Sequence, residues 1–202
     1  MSEINRKFNV GILIFDNAEV LDFAGPFEVF AVCSELNNDE LFDVFTVAKN
    51  SSPISAVNGL SVNPKFTFSN SPQIDILIIS GGVGTRKQIL DDETLNWIME
   101  VHKTTIYTVS ICSGSRLLGK LGLLDNRPYC THKGVYEHMQ EIVPSGIPSP
   151  EKRFVQSDKI FTSGGISAGI DLSFHIIEIL HNRKIAEATA YYMEYELKIA
   201  YA

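Results

Sequence analysis

The chain is poor in the features that mark several large classes of protein. It has three cysteines, Cys33, Cys112 and Cys130, and no pair with C-x-x-C spacing, so a disulfide framework of the secreted kind is not expected. Basic residues are outnumbered, 17 Lys and Arg against 24 Asp and Glu, for a net charge of −7. Without a basic block the chain has no electrostatic footprint for nucleic acid or for an anionic membrane surface. No stretch approaches the roughly 20 apolar residues of a membrane span. The opening MSEINRKFNVGILIF holds an apolar run too short for a signal core, Asp16 follows at once, and no small-residue cleavage site is evident. A cytoplasmic protein is expected, in which the sequon Asn50-Ser51-Ser52 has no consequence. Internal repeats, low-complexity tracts and long linkers are also missing. What is there is 202 residues, 45% hydrophobic and 20% charged, enough for one domain over 1–202 with a sizeable core.

Apolar runs alternate with helix-like stretches. Residues 9–15, 75–79 and 106–109 read as strands buried on both faces, and 41–48 as another strand. Residues 21–36 read as a helix with Pro26 in its first turn and a stripe of Phe27, Phe30, Ala31 and Ser34. Residues 92–102 form a helix capped by Asp91 or Asp92, 116–121 a helix ending near Gly122, and 134–141 another. Residues 51–68, with Asn58-Gly59, suggest a hairpin or irregular excursion. A hairpin-like pair at 153–156 and 160–162 precedes two closing helices, 167–180 and 184–197. Such alternation predicts an α/β fold, an open, mostly parallel sheet sandwiched by helices.

The most informative stretch is Ile106 to Leu118, IYTVSICSGSRLL. A β-rich run leads into Cys112, then the small residues Ser113, Gly114 and Ser115, then a helix. This is the order of a nucleophile elbow, with cysteine where G-x-S-x-G has serine. A helix N-terminus favours a thiolate there. A buried structural cysteine at a strand end is the plainer alternative.

In parallel sheets ligands sit beyond the carboxyl ends of the strands, where two further loops fall. One carries Asp16, Glu19 and Asp22. Asp22 is either an N-cap for the helix near Pro26 or a carboxyl facing the Cys112 sulfur, the two then titrating as a coupled pair. The other carries Gly81, Gly82, Val83 and Gly84. Its spacing does not match a dinucleotide loop; a structural turn or an oxyanion hole of backbone N–H groups remains. Gly114 to Lys120 mimics a phosphate-binding loop but has Leu121 where that loop needs a hydroxyl. His132 lacks partners at metal-ligand spacing and reads as a hydrogen-bonded side chain lining the crevice. His102, His138, His175 and His181 fall on helices, with surface or packing roles. The turn from Ser163 to Asp171 brings glycines, Ile166 and Ser167 to the same edge.

These segments together resemble the ThiJ/PfpI family of the class I glutamine-amidotransferase-like superfamily, nearly end to end. The resemblance is carried by VGILIFDNAEVLDFAGPFEVF, DILIISGGVG, VSICSGSRLLGKLGLLDNRPYCTH and FTSGGISAGIDLSFHIIE. LDFAGP, the CSG to TH segment and GGISAGID are most similar to isonitrile hydratases and to the sensor domains of AraC-type regulators. The resemblance implies a flavodoxin-like fold, Cys112 as nucleophile, Asp22 as its acidic partner, and Ser113 as the hydroxyl residue after it, where isonitrile hydratases usually have Thr. His132 corresponds to the family's Thr-His segment, though Lys133 follows where Trp is common. Ser113 also departs from the peptidase-like branch, which has His after the nucleophile.

The implied activity is cysteine-dependent hydration of an isocyanide to an N-substituted formamide, with Gly82, Val83 and Ser113 steadying developing charge and no metal or organic cofactor. His132 and Ile166 would face a small-molecule substrate. Glyoxalase-, deglycase- or amidase-type chemistry, and a redox or small-molecule sensing role, are the alternatives. A homodimer is implied by the family.

Overall fold

The structure, a computed structural model, describes residues 6–197. Its centre is a seven-stranded sheet in the order β10-β11-β7-β6-β1-β2-β5. These strands are β1 (Phe8–Leu13), β2 (Phe42–Ala48), β5 (Phe66–Thr67), β6 (Ile76–Ile79), β7 (Tyr107–Ser110), β10 (Phe154–Ser157) and β11 (Ile160–Ser163). All pairings are parallel except the β10–β11 hairpin. The expected α/β architecture is therefore present. Val10, Ile12 and the whole of β6 are fully buried, as expected for strands covered on both faces.

Helix α1 (Val20–Glu35) packs against α6 (Ala168–Leu180) and α7 (Arg183–Tyr192). The short α4 (Ser115–Lys120) packs with α2 (Thr85–Gln88) and α5 (Tyr136–Ile142), and α3 (Asp92–Thr104) precedes β7. Asp91 caps α3 by accepting from the Glu93 N–H. Two details of α1 differ from expectation. Pro26 lies inside the helix rather than in its first turn, where its missing N–H leaves the Asp22 carbonyl without the usual i+4 donor. The buried face runs through Asp22, Phe23, Pro26, Val29, Phe30 and Cys33, so Phe27 and Ala31 lie at its margin rather than at its centre. The last helix ends at Tyr192 instead of Leu197, and the loop before the hairpin contains a strand, β9 (Ile147–Pro148), paired with β8 (Pro128–Tyr129).

The chain builds β1, β2 and β5 to one side of β1 and then returns to place β6 on the other. Such a reversal opens a crevice at the carboxyl ends of the strands. The register puts Leu13, Ile79, Ser110 and Thr162 side by side at that edge. The excursion after β2 forms a small hairpin of β3 (Ile54–Ser55) and β4 (Ser61–Val62) around Asn58 at φ 64 and Gly59 at φ 88. It braces the first crevice loop: the Ser55 N–H donates to Asp16 Oδ1, the Asn17 N–H to the Ser55 carbonyl, and the Val57 N–H to the Ala18 carbonyl.

Among the described residues no helix is long and apolar enough to cross a membrane. No group of three or more His, Cys, Asp or Glu there is arranged to hold a metal ion.

Candidate active site

Strand β7 ends at Ser110, and two residues later the backbone turns sharply. Cys112 has φ 57, a left-handed conformation that costs a non-glycine residue energy and persists only where the surroundings enforce it. Enforcement comes from both sides. The Cys112 N–H donates to the Gly164 carbonyl at 3.1 Å, and the Cys112 carbonyl accepts from Thr131 Oγ1 at 3.0 Å. A single 3₁₀ turn, Cys112–Gly114, then feeds α4. This is the geometry of a nucleophile elbow.

Asp22 sits in the first turn of α1 and is completely buried. Glu19 occupies the cap position without a side-chain cap bond, so the N-cap alternative for Asp22 does not hold. Its Oδ2 accepts from the Gly81 N–H at 3.0 Å. Oδ1 has no partner of standard hydrogen-bond geometry; the group that interacts with the carboxyl is the Cys112 thiol, and the Ile166 N–H faces them both. Gly81 makes this approach possible. A Cβ there would lie 2.6 Å from Asp22 Oδ2, 2.7 Å from the Ser113 nitrogen and 2.8 Å from the Cys112 Cβ.

Burial pushes the Asp22 carboxyl up to about 7, aided by the charge of Glu19 and opposed by the Gly81 N–H and the thiol. Burial, and after it the Asp22 charge, pushes the Cys112 thiol up to about 12, against the pull of the Ser113 and Ile166 N–H groups. The thiolate expected from a helix terminus is thus overridden by desolvation and a neighbouring negative charge. The pair holds one proton between about 7 and 12, and that proton belongs to the pair rather than to either residue.

Ser113 corrects another expectation. Its hydroxyl accepts from the Gly82 N–H at 2.9 Å and donates to the Gly82 carbonyl at 3.0 Å. It is a brace for the glycine loop, and it engages the Gly82 N–H that was expected to face substrate. Gly82 itself has φ +105, and a Cβ there would lie 2.4 Å from the Asn17 carbonyl oxygen. The backbone N–H groups of Ser113 and Val83 donate to no other described residue, and Val83 stands exposed at the rim.

Cys112, Ser113, Gly82, Val83, His132 and Ile166 all border one cavity of about 250 Å³; Asp22 lies behind the sulfur. His132 is half-buried, and its Nδ1 accepts from the Gly134 N–H at 3.1 Å. Ile166 has φ 56, a genuine outlier for a β-branched side chain, and its backbone N–H favours the charged form of both Cys112 and Asp22.

Sequence reasoning missed Arg116 and Thr85. Arg116 is buried and lines the cavity, while its Nη1 donates to Thr85 Oγ1 at 2.9 Å. The available signal was a charged residue at the head of a helix whose neighbours Ser115, Leu117, Leu118 and Gly119 are all buried. The helical histidines mostly pack: His175 against Phe154 and Phe161, His181 against Phe8 and Phe42. His138 instead accepts from Arg116 Nε.

A mostly parallel α/β sheet with a strained cysteine at the carboxyl edge of its strands and an acid behind it defines a class of cysteine-elbow proteins. Comparison places the chain more narrowly: the DJ-1/PfpI family model matches residues 9–179, and the chain belongs to that family. Isonitrile hydratase of Pseudomonas putida is 30% identical over 92% of this chain and 78% of its own length. The HTH-type transcriptional regulator GbdR of Pseudomonas aeruginosa is 27% identical over 93% of this chain, which spans 51% of that regulator. Among solved structures, a ThiJ/PfpI family protein from Pseudomonas syringae superposes with a TM-score of 0.85 at 26% identity, over 96% of this chain and 78% of that one. DJ-1beta of Drosophila melanogaster gives 0.81 at 13% identity, covering 94% and 99% respectively, a likeness of fold alone.

Proposed function

We propose that the chain is a cysteine-dependent hydrating enzyme that converts a small isocyanide into an N-substituted formamide. The observation that carries this reading is the Cys112–Asp22 pair, a strained sulfur and a buried carboxyl sharing one proton at the floor of a small cavity. With the proton on Asp22, the sulfur is a thiolate facing the Ser113 and Ile166 N–H groups. The sulfur adds to the terminal isocyanide carbon and Asp22 delivers its proton to that carbon, giving a thioimidate. Asp22, now a carboxylate, takes a proton from water as the water oxygen adds to the same carbon, and passes it to nitrogen. Cleavage of the C–S bond, with the hydroxyl proton returning to Asp22, releases the formamide and restores the pair. Likeness to isonitrile hydratase over nearly the whole chain supports the substrate class.

A second reading is small-molecule sensing, favoured by the regulators that match most of this chain. In that case Cys112 binds a ligand without turnover. A homodimer, implied by the family, is part of the proposal in either case. The test is turnover of cyclic and linear alkyl isocyanides by the wild type and by Cys112→Ala, with formamide measured directly. Formamide from the wild type alone supports the enzyme; equal rates in both proteins overturn the mechanism.

A further inference from the structure

Arg116 has an unusual environment for a cation. It is only 4% exposed, and no carboxylate among the described residues lies within ion-pairing distance of it. Its protein partners are neutral, Thr85 Oγ1 at Nη1 and His138 Nδ1 at Nε. A guanidinium has five N–H donors. Nη2 makes no hydrogen bond to the described residues, yet it is not among the sealed, unpartnered atoms, so it reaches the cavity that Arg116 lines. A buried charge without a counterion is costly.

The surroundings add to this. Arg86, exposed on α2, lines the same cavity. His138 accepts the Arg116 N–H at Nδ1 and is pushed below its ordinary range by burial and then by the two arginines. It is a neutral member of a positively charged end. The same cavity is lined by Glu19, whose charge acts on Asp22 and which pairs with neither arginine. The cavity therefore carries both signs of charge, Glu19 acting on Asp22 and the two arginines unpaired, with Cys112 electrostatically coupled to both Asp22 and Arg116.

We propose that Arg116 and Arg86 form an anion subsite in the Cys112 cavity, selecting electrophiles that carry a carboxylate. This deepens the reading of Cys112 as the reacting sulfur, for it names the substrate class: an isocyanide bearing an acidic group a short distance from the reactive carbon. A carboxylate takes two parallel N–H donors from a guanidinium, supplies the missing counterion, and orients the far end of the molecule toward the sulfur.

Two pairs of matched probes test this. Iodoacetate and iodoacetamide differ in charge and hardly in size, and a simple thiol reacts more slowly with the anion. Alkylation of Cys112, followed by mass and peptide mapping, should favour iodoacetate in the wild type. The acetate-to-amide rate ratio should fall at least tenfold in Arg116→Leu and severalfold in Arg86→Ala. A ratio unchanged in both variants overturns the subsite. Binding is read separately by titrating the wild type with butyrate and butyramide. Butyrate binding tenfold tighter than the amide, with the difference lost in Arg116→Leu, supports it; equal affinities, or no binding of either, overturns it. Arg116→Lys keeps the charge and serves where Arg116→Leu does not fold; it should retain part of the preference. A sulfur inert to both alkylating agents while butyrate still binds would sink the enzyme reading and leave the subsite standing.

Discussion

Cys112 and Cys130 invite comparison. Both are buried and free, and burial pushes both thiols up to about 12. By those measures they are the same residue. The difference lies in what each sulfur faces and how its backbone is held. Cys130 Sγ donates to the Ser149 carbonyl at 3.3 Å and lies 3.5 Å from that of Lys152, a thiol held as a packing and hydrogen-bonding group. Cys112 sits at positive φ, opens onto a cavity, and faces a carboxyl that shares its proton. Burial alone does not single out a candidate nucleophile; a strained backbone with a titrating partner is what separates Cys112 from Cys130 and supports its proposed role.

The largest effect that would break this contrast is on turnover. Cys112→Ala should lower isocyanide hydration by at least about 10³-fold, since nucleophiles act as part of a unit. Cys130→Ala should leave the rate within severalfold. Comparable losses in the two variants would erase the distinction.

Asp22→Asn should lower kcat/KM by about 10²-fold and abolish the pH dependence. In the wild type kcat/KM should rise with pH about a midpoint near 7, as the pair loses the first of its two protons and keeps the one it shares. The sign for stability is opposite. Asp22 binds its proton more tightly folded, near 7, than at the ordinary value of 3.8. That contribution is present in full below about pH 4 and is lost as pH rises through 7. Asp22→Asn should therefore be more stable than the wild type at pH 8 by on the order of 2 kcal/mol, a gain that shrinks toward pH 4. Denaturant melts at the two pH values give the answer; a destabilised variant at pH 8 would mean the carboxylate is better satisfied than its burial suggests.

Gly82→Ala should cost about 3 kcal/mol, because its Cβ would meet the Asn17 carbonyl and its φ of +105 disfavours a side chain. Thermal unfolding reads this directly. The smallest effect belongs to Ile166→Gly. Relief of the left-handed strain offsets the entropy of a new glycine, so stability should stay within about 1 kcal/mol of the wild type. Alkylation of Cys112 should nonetheless slow, since the Ile166 N–H is aimed less firmly at the sulfur.

Much of the fold was legible in the chain because burial leaves a pattern. Continuous apolar runs gave strands covered on both faces, and small residues after Cys112 gave the elbow. The stripe on α1 was misplaced because Pro26 and Gly25, weak markers of burial, face inward with Asp22. The parallel β8–β9 pair, with two residues in each strand, is too short to show periodicity. At the site, Cys112 and Asp22 could be named from local pattern, but the role of Ser113 could not. Its hydroxyl is committed to Gly82, 31 positions away, and no spacing reports such a bond. Arg116 was missed for the same reason, since its partners Thr85 and His138 lie 31 and 22 positions from it.

The amino-acid order by itself determined the elements, their alternation, and which residue types stand at the strand ends, because hydrophobic period and backbone permissiveness are local properties. Tertiary structure alone decided which proton is shared, which N–H groups are left open, and where an arginine goes without a counterion. Those are set by desolvation and by contacts across the sheet edge, which exist only after the chain has closed on itself.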